Sequence, residues 1–241
     1  MATDNSNPVL LFLHGFPSSF YCWCHQIAYF SKQGYGCLAP NLMGYGLILF
    51  NVGYRAPTKF DFEQTLTFTK KNLGYETVGY WEFFDFNDAA KVLEGNPDRL
   101  IDLGYANDST LWKTDFPPLS KAREWLAKEK TTTRASCLTH KDCEIIRKCI
   151  TEGIQPKLNW YKSAIDNVDW DDEKSLDPTI KRPVLYVAAM KDYICISQFF
   201  ADQKQYIADL KTIELETNQW TMEENPGKVN EVVEKWFKRI V

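Results

Sequence analysis

The short turn Gly44-Tyr45-Gly46 lies between two apolar runs of strand length, residues 35–42 and 47–52. A connection between neighbouring parallel strands needs a dozen or more residues, because the chain must return to the end of the sheet from which it came. These two runs therefore cannot be parallel neighbours joined by this turn alone. Either they form a hairpin, or one of them leaves the sheet in which the other lies.

Continuous apolar runs predict strands that are buried on both faces. "PVLLFLHG" near the start, and "RPVLYVAAMKD" and "LKTIELE" near the end, have strand length. Such strands are typical of parallel sheets covered by helices. The segment "GKVNEVVEKWFKRI" predicts a closing helix, because its apolar residues share one face at helical spacing: Val229, Val232, Val233, Trp236 and Phe237.

The middle of the chain has a different pattern. Between Arg55 and Lys181, segments such as "PLSKAREWLAKEK" and "HKDCEIIRKCITEG" read as short amphipathic helices divided by Pro, Gly and Asn. Strands, a helical block and further strands together predict the α/β fold class. We expect a core sheet built from residues 1–55 and 181–241, with a helical lid inserted at 56–180.

Composition excludes several classes of partner. The chain is 44 % hydrophobic and 25 % charged with a net charge of −4, which is typical of a globular protein and predicts no nucleic acid or anionic membrane partner. No apolar stretch approaches the roughly 20 residues that span a bilayer. The polar start "MATDNSNP", seven irregularly spaced cysteines and the tail "KRIV", which is no peroxisomal address, predict a cytoplasmic protein with reduced thiols.

No metal or cofactor is predicted. Cys22, Cys24, His25 and Cys37 are clustered in the sequence, but no second pair of ligands at a suitable spacing accompanies them. We therefore expect a site made of protein groups alone.

Three stretches resemble soluble epoxide hydrolases of the α/β-hydrolase superfamily. "LFLHGFPSSFYCWCHQ" (11–26) resembles their His-Gly-Phe-Pro segment with the Trp and Gln that follow it. "APNLMGYG" (39–46) is similar to the Ala-Pro-Asp-x-x-Gly-Tyr-Gly that ends the next strand, and "LNWYK" (158–162) to the Leu-Asn-Trp-Tyr-Arg motif of the lid. Together with "PVLYVAAMKD" and "ENPGKVN", the resemblance covers most of the chain and is nearest to the fungal enzymes.

The resemblance implies a definite chemistry. In that family an Asp on a sharp strand-to-helix turn attacks the epoxide and forms an alkyl-enzyme ester. Two lid tyrosines hold the epoxide oxygen, and a His backed by an acid activates the water that hydrolyses the ester. An epoxide is a poor electrophile until its oxygen is hydrogen-bonded, so each part is needed.

Several parts of this site match residues of the chain. By resemblance, Phe16, after His14 and Gly15, supplies a backbone N–H to the oxyanion hole. Tyr161 of "LNWYK" matches one epoxide-holding tyrosine, and Tyr80 of "VGYWEFF" matches the second. The implied ligand is a small lipophilic metabolite that carries an epoxide.

The nucleophile and the base have no match. Asp192 matches the acid that orients the histidine, but Gln219 stands in the place of the histidine itself. No Gly-x-Asp-x-Gly or Gly-x-Ser-x-Gly occurs in the chain, since Leu47 directly follows Gly46 where the family has the nucleophile elbow. The resemblance therefore implies a truncated α/β-hydrolase core sheet that lacks about sixty residues, roughly two crossover units.

The same residues also have structural explanations. Asp192 would cap the turn that follows its strand, and Tyr161 would be a packing residue of the lid. Three functional readings stay open. The chain acts on epoxides or related metabolites of fungal secondary metabolism, as a hydrolase, cyclase or isomerase. Alternatively it is a non-catalytic pseudoenzyme that binds a ligand, a second copy or a paralogue, or it is a degenerate, truncated product.

Overall fold

The computed structural model describes residues 9–12, 20–39 and 48–240, and the chain divides into two compact units. The first unit comprises Met1–Tyr54, Ile180–Met190 and Ser197–Val241. The second comprises Arg55–Thr179 and Lys191–Ile196. The role of the second unit as a lid stays a prediction.

The secondary structure of the described residues follows the predicted order of strands, helices and strands. The strands are β1 (Val9–Leu11), β2 (Gly36–Leu38), β3 (Ile48–Phe50), β4 (Val184–Ala189) and β5 (Leu210–Leu215). The α-helices are α1 (Cys24–Lys32), α2 (Phe62–Leu73), α3 (Tyr80–Asp85), α4 (Ala89–Glu94), α5 (Pro97–Gly104), α6 (Trp112–Asp115), α7 (Lys121–Ala127), α8 (His140–Thr151), α9 (Gln155–Asp166), α10 (Trp170–Glu173), α11 (Thr221–Glu224) and α12 (Pro226–Ile240). Short 3₁₀ helices span Phe20–Trp23, Ser109–Leu111 and Ser197–Gln205.

The strands of the first unit form two parallel sheets. β1 pairs with β2, and β3, β4 and β5 form a second sheet with β4 in the middle. All six residues of β4 are buried, as its uninterrupted apolar sequence predicts for a strand with a neighbour on each side. The predicted parallel α/β class is therefore confirmed.

Strands β2 and β3, in the described parts of the apolar runs on either side of "GYG", lie in different sheets. β2 pairs with β1 and β3 pairs with β4, so of the two alternatives the hairpin is wrong. Strand register also places Leu11 opposite Leu38, and these side chains are 46 % and 57 % exposed. One face of the two-stranded sheet thus presents apolar side chains to solvent.

Side chains from both sheets and from the first and last α-helices form one core. The buried members are Leu10, Phe30, Leu185, Val187, Leu215, Val229, Val232, Val233 and Trp236. Helix α12 supplies the last four, which confirms the predicted closing helix and its apolar face. The Tyr29 hydroxyl of α1 donates a hydrogen bond to Glu234 Oε2 of α12 over 2.7 Å, so the two helices are joined by polar contact as well.

The second unit consists mainly of short helices with defined ends. Asp61 caps α2 by accepting from the Gln64 N–H over 2.8 Å, and Gly74 ends that helix in a left-handed conformation with φ +87°. Thr139 and Asp142 form a capping box at the start of α8. Among the helices that the structure describes, none has the length and apolar content needed to cross a membrane.

Candidate functional site

Tyr80 and Tyr161 lie side by side in the second unit. Tyr80 is the first residue of α3 and Tyr161 lies on α9, within "LNWYK". Their ring centroids are 5.8 Å apart with an interplanar angle of 71°, an edge-on arrangement. Both residues are buried, with 8 % and 7 % of their surface exposed. The two tyrosines that the sequence analysis selected are therefore neighbours.

Aromatic rings surround this tyrosine pair. The Tyr161 ring lies 5.4 Å from Trp81 and 4.9 Å from Phe84, both nearly perpendicular to it. The Tyr80 ring lies 5.2 Å from Phe84 and 4.8 Å from Phe116. Edge-on pairs of this kind contribute about 0.5–1.5 kcal/mol each beyond their burial. The two phenols are therefore surrounded mainly by aromatic side chains.

Burial keeps both phenols protonated. The pKa of Tyr80 is raised, chiefly by burial and then by the nearby Cys195 thiol, while its interaction with Tyr161 acts against the rise. Burial also raises the pKa of Tyr161 well above its usual value, with Tyr80 adding to the effect. The two phenols therefore act on each other, and burial favours the neutral form of both.

Asp192 orders the turn that follows β4. It is 3 % exposed, and its Oδ1 accepts hydrogen bonds from the backbone N–H groups of Ile194 (2.8 Å) and Cys195 (2.9 Å). The structural role considered for Asp192, capping the following turn, is therefore present. The structure assigns Asp192 to the second unit, with Tyr80 and Tyr161.

Cys195 and Tyr75 belong to the same neighbourhood and were missed by the sequence analysis. The pKa of the Cys195 thiol is raised well above its usual value by burial and by the Asp192 charge, although Arg55 opposes the rise. A thiol with a raised pKa is a poor nucleophile. The Tyr75 hydroxyl donates to the Tyr193 carbonyl over 2.8 Å. The interaction of Cys195 with Asp192 and the hydrogen bond of Tyr75 to Tyr193 both depend on the turn at 192–195. No sequence motif predicts that this turn lies beside α3.

Gln219 lies in the first unit, in the turn formed by residues 217–221. Its backbone carbonyl accepts a 2.7 Å hydrogen bond from Nδ2 of Asn51, the residue that directly follows β3. Gln219 is half-buried, and its flanking residues Asn218 and Trp220 are buried. Asn51 was missed as well, because nothing in "LFNVGY" marks it as a partner of residues far along the chain.

The loop expected to supply the oxyanion hole, His14, Gly15 and Phe16, lies outside the described residues. Within the part of the chain that the structure describes, no group of three or more His, Cys, Asp or Glu side chains is arranged to bind a metal ion. The described candidate residues are thus Tyr80, Tyr161 and Asp192 in one unit and Gln219 in the other.

Comparisons of sequence connect the chain with hydrolases. The family model described as alpha/beta hydrolase fold matches residues 8–47. Epoxide hydrolase 1 of Siraitia grosvenorii is 50 % identical over 46 residues, which cover 19 % of this chain and 15 % of that protein. Bifunctional epoxide hydrolase 2 of Rattus norvegicus is 24 % identical over 296 residues, covering 97 % of this chain. The chain spans about half (52 %) of the length of the rat protein.

Solved structures extend the likeness over nearly the whole chain. Epoxide hydrolase A from Mycobacterium thermoresistibile matches with a TM-score of 0.75 and 17 % identity, covering 98 % of this chain and 93 % of that one. An epoxide hydrolase from an endophytic Streptomyces matches with a TM-score of 0.71 and 18 % identity, covering 96 % and 89 %. The chain therefore has an alpha/beta-hydrolase fold, and the proteins that it resembles in sequence and structure are epoxide hydrolases.

Proposed function

We propose that the chain binds a lipophilic metabolite with a hydrogen-bond-accepting oxygen, such as an epoxide, without hydrolysing it through a covalent ester. The observation that carries the proposal is the pair of buried phenols, Tyr80 and Tyr161, in an aromatic environment. The epoxide hydrolase relatives supply the class of ligand.

The two neighbouring phenols favour donation to a ligand oxygen. A hydrogen bond between them uses one of their two hydroxyl protons, so the other proton can be donated to a ligand, and the mutual bond strengthens that donor, as in any chain of hydrogen bonds. Both phenols stay neutral at pH 7, since their pKa values are raised. A weakly basic ether oxygen needs such a donor, and the surrounding rings suit the apolar remainder of the ligand.

The sequence argues against ester chemistry. It contains no Gly-x-Asp-x-Gly elbow, and the amide of Gln219 cannot take and return a proton near neutral pH as an imidazole does. The alignment with the rat protein is also longer than the chain, 296 positions against 241 residues, so gaps in this chain accompany the match. These observations support a binding protein derived from a hydrolase.

A matched pair of ligands tests the proposal. Styrene oxide and styrene differ by the epoxide oxygen, so a phenol donor should bind the first more tightly. We expect Tyr80→Phe to remove most of that preference, about tenfold for one hydrogen bond in a buried site. Tyr161→Phe should weaken it as well, because the two phenols lie side by side and act on each other. Calorimetric titration of the purified chain measures both constants.

The control is a second tyrosine pair of similar geometry. Tyr206 and Tyr54 of the first unit also lie edge-on, with ring centroids 6.2 Å apart at 75°. Tyr206→Phe should leave the preference for styrene oxide unchanged. Equal binding of styrene oxide and styrene by the unmodified chain would refute the proposal.

Association with another protein is a second candidate function. The exposed pair Leu11 and Leu38 favours it, because the two residues lie opposite each other in the register of β1 and β2 and so are adjacent rather than scattered. A homo-oligomer or a complex with a paralogue would cover them. Sedimentation of the unmodified chain and of Leu38→Ser tests the homo-oligomer: loss of a dimer in the variant supports it, and a monomer in both contradicts it.

The biological setting stays a prediction from the sequence. The fungal affiliation, a place in secondary metabolism and a cytoplasmic location rest on the motifs in residues 11–26, 39–46 and 158–162 and on composition. Sequencing the transcript across the codons for Tyr45 to Phe50 tests the alternative of a truncated product. A longer message that encodes an elbow would restore the hydrolase reading.

A further inference from the structure

Asn51 has a backbone conformation that residues other than glycine rarely adopt. It directly follows β3, is 3 % exposed, and has φ +62°, in the left-handed region. Its N–H donates to the Val187 carbonyl over 2.9 Å, and its carbonyl accepts from the Tyr186 hydroxyl over 3.0 Å. Both partners belong to β4, so the backbone of Asn51 is fixed to the middle strand of the sheet.

The side chain of Asn51 is directed at the 217–221 turn. Its Nδ2 donates to the Gln219 carbonyl at 2.7 Å and to the Asn218 carbonyl at 3.3 Å. Its Oδ1 accepts from the Thr221 hydroxyl at 3.1 Å. An asparagine is suited to this position, because its amide both donates and accepts and it tolerates positive φ better than most residues.

Further bonds within the turn give it one conformation. The Thr217 and Thr221 hydroxyl oxygens lie 2.8 Å apart, and the Trp220 N–H donates to Asn218 Oδ1 over 2.8 Å. The Asn218 N–H donates to Glu224 Oε2, also over 2.8 Å. The turn is therefore ordered internally, and Asn51 fixes it to the end of the sheet.

We infer that Asn51 is a positioning residue, which holds the turn so that position 219 presents its side chain in a fixed place. The contacts of Asn51 with Asn218 and Gln219 go to backbone carbonyls. Those contacts do not depend on which side chain position 219 carries. The turn should accept a histidine at position 219 without rearrangement. This inference does not depend on ligand binding, so it can fail or succeed independently of the proposed function.

Asn51→Gly separates the side-chain contacts from the backbone conformation. Glycine adopts φ +62° without strain, so the variant keeps the end of β3 and loses the three side-chain hydrogen bonds. We expect hydrogen exchange at the Asn218 and Trp220 amides to accelerate by about tenfold or more. The amides of β4 and β5 should keep their rates.

Asn167→Gly is the matched control. Asn167 also has positive φ (+53°), and its amide bonds the backbone N–H and carbonyl of Phe60 in the second unit. This variant should leave exchange in the 217–221 turn unchanged. Unchanged exchange in Asn51→Gly would overturn the inference, and so would a general acceleration that includes β4 and β5. Should Asn51→Gly fail to fold, Thr221→Val removes the Thr221 bond to Asn51 together with the Thr217 contact, whereas Thr217→Val removes only the latter. The first variant should then accelerate exchange in the turn more than the second.

A titrating reporter separates positioning from a general structural role. In Gln219→His, the imidazole pKa reports the surroundings of the side chain at position 219. We expect this pKa to differ between the single variant and Gln219→His combined with Asn51→Gly, because the ring then samples several environments. Identical values, measured by NMR titration, would contradict the inference.

Discussion

Gly79 lies so close to Leu119 that a Cβ atom at position 79 would stand 2.4 Å from the Leu119 backbone nitrogen and 2.7 Å from the Pro117 carbonyl oxygen. Backbone atoms cannot move aside as a flexible side chain can. The adjacent Tyr80 N–H also donates to that Pro117 carbonyl, over 2.9 Å. The contact therefore fixes the start of α3, and with it Tyr80.

Gly79→Ala should destabilise the chain by about 1–3 kcal/mol through overpacking. Gly79 has φ −60°, so proximity and not backbone conformation is the cause. Gly104→Ala is the control, since a Cβ there meets nothing within 4 Å. It should be neutral or stabilising by up to about 1 kcal/mol, as alanine favours the helix. Urea unfolding measures both, and equal effects would contradict the prediction.

Asp102→Asn should also destabilise the second unit. Asp102 accepts from Arg134 Nε over 2.6 Å and its side chain is only 10 % exposed. The variant leaves the guanidinium with a weaker acceptor in a partly buried place, a loss of about 1.5–3 kcal/mol. Thermal unfolding provides the measurement.

Glu124→Gln is the comparison for that ion pair. Glu124 pairs with Lys121 and Lys128 on an exposed surface, where its side chain is 38 % accessible. Such pairs contribute about 0–1 kcal/mol. A loss of stability in Glu124→Gln as large as in Asp102→Asn would show that burial does not decide the strength of these pairs.

How much of this architecture was predictable depended on the type of feature. Strand β4 and helix α12 could be predicted without tertiary information. The continuous apolar run of β4 and the helical spacing of apolar residues in α12 themselves indicate which side chains are buried. The segment "FEQTLTFTKKNLGYETVGYWEFF" contains two helices, α2 and α3, and Gly74 at φ +87° ends the first of them. Asn51 and Cys195 could not be found this way, since their partners are set by how distant turns meet.

Stability should fall in alkali between about pH 10 and 12. Burial raises the pKa of Tyr75 to about 12, while an unfolded tyrosine ionises near 10. The folded state therefore holds this proton more tightly, so its contribution is complete below pH 10 and is lost as the pH rises through 12. The raised pKa values of Tyr80 and Tyr161 act in the same direction.

Tyr75→Phe should make the decline in that window shallower. Lysine residues also titrate there, so the difference in slope between the variant and the unmodified chain is the quantity to compare, from urea midpoints at pH 9, 10, 11 and 12. Parallel slopes would remove Tyr75 from the explanation.

Steady hydrolysis of simple aryl or alkyl epoxides is not expected. Gln219→His should not restore it, because no ester can form for an imidazole to hydrolyse, and catalytic groups of this kind act as a unit. Diol release is assayed by chromatography, and mass spectrometry searches for an alkyl adduct. Multiple turnovers that disappear in Tyr161→Phe or Asp192→Ala would instead reveal a different mechanism built from the remaining residues.

The shared core of α1 and α12 has a consequence for synthesis on the ribosome. Phe30 and Phe237 pack with ring centroids 6.2 Å apart, and Leu10 joins the same core as Val229. The ribosome adds about 5–20 residues per second, so Phe237 leaves it on the order of ten seconds or more after Phe30. Until α12 has been synthesised, the apolar faces of the early strands stay uncovered. The helices of the second unit can already pack during this time. Chaperones that bind nascent chains should therefore be found on the first forty residues.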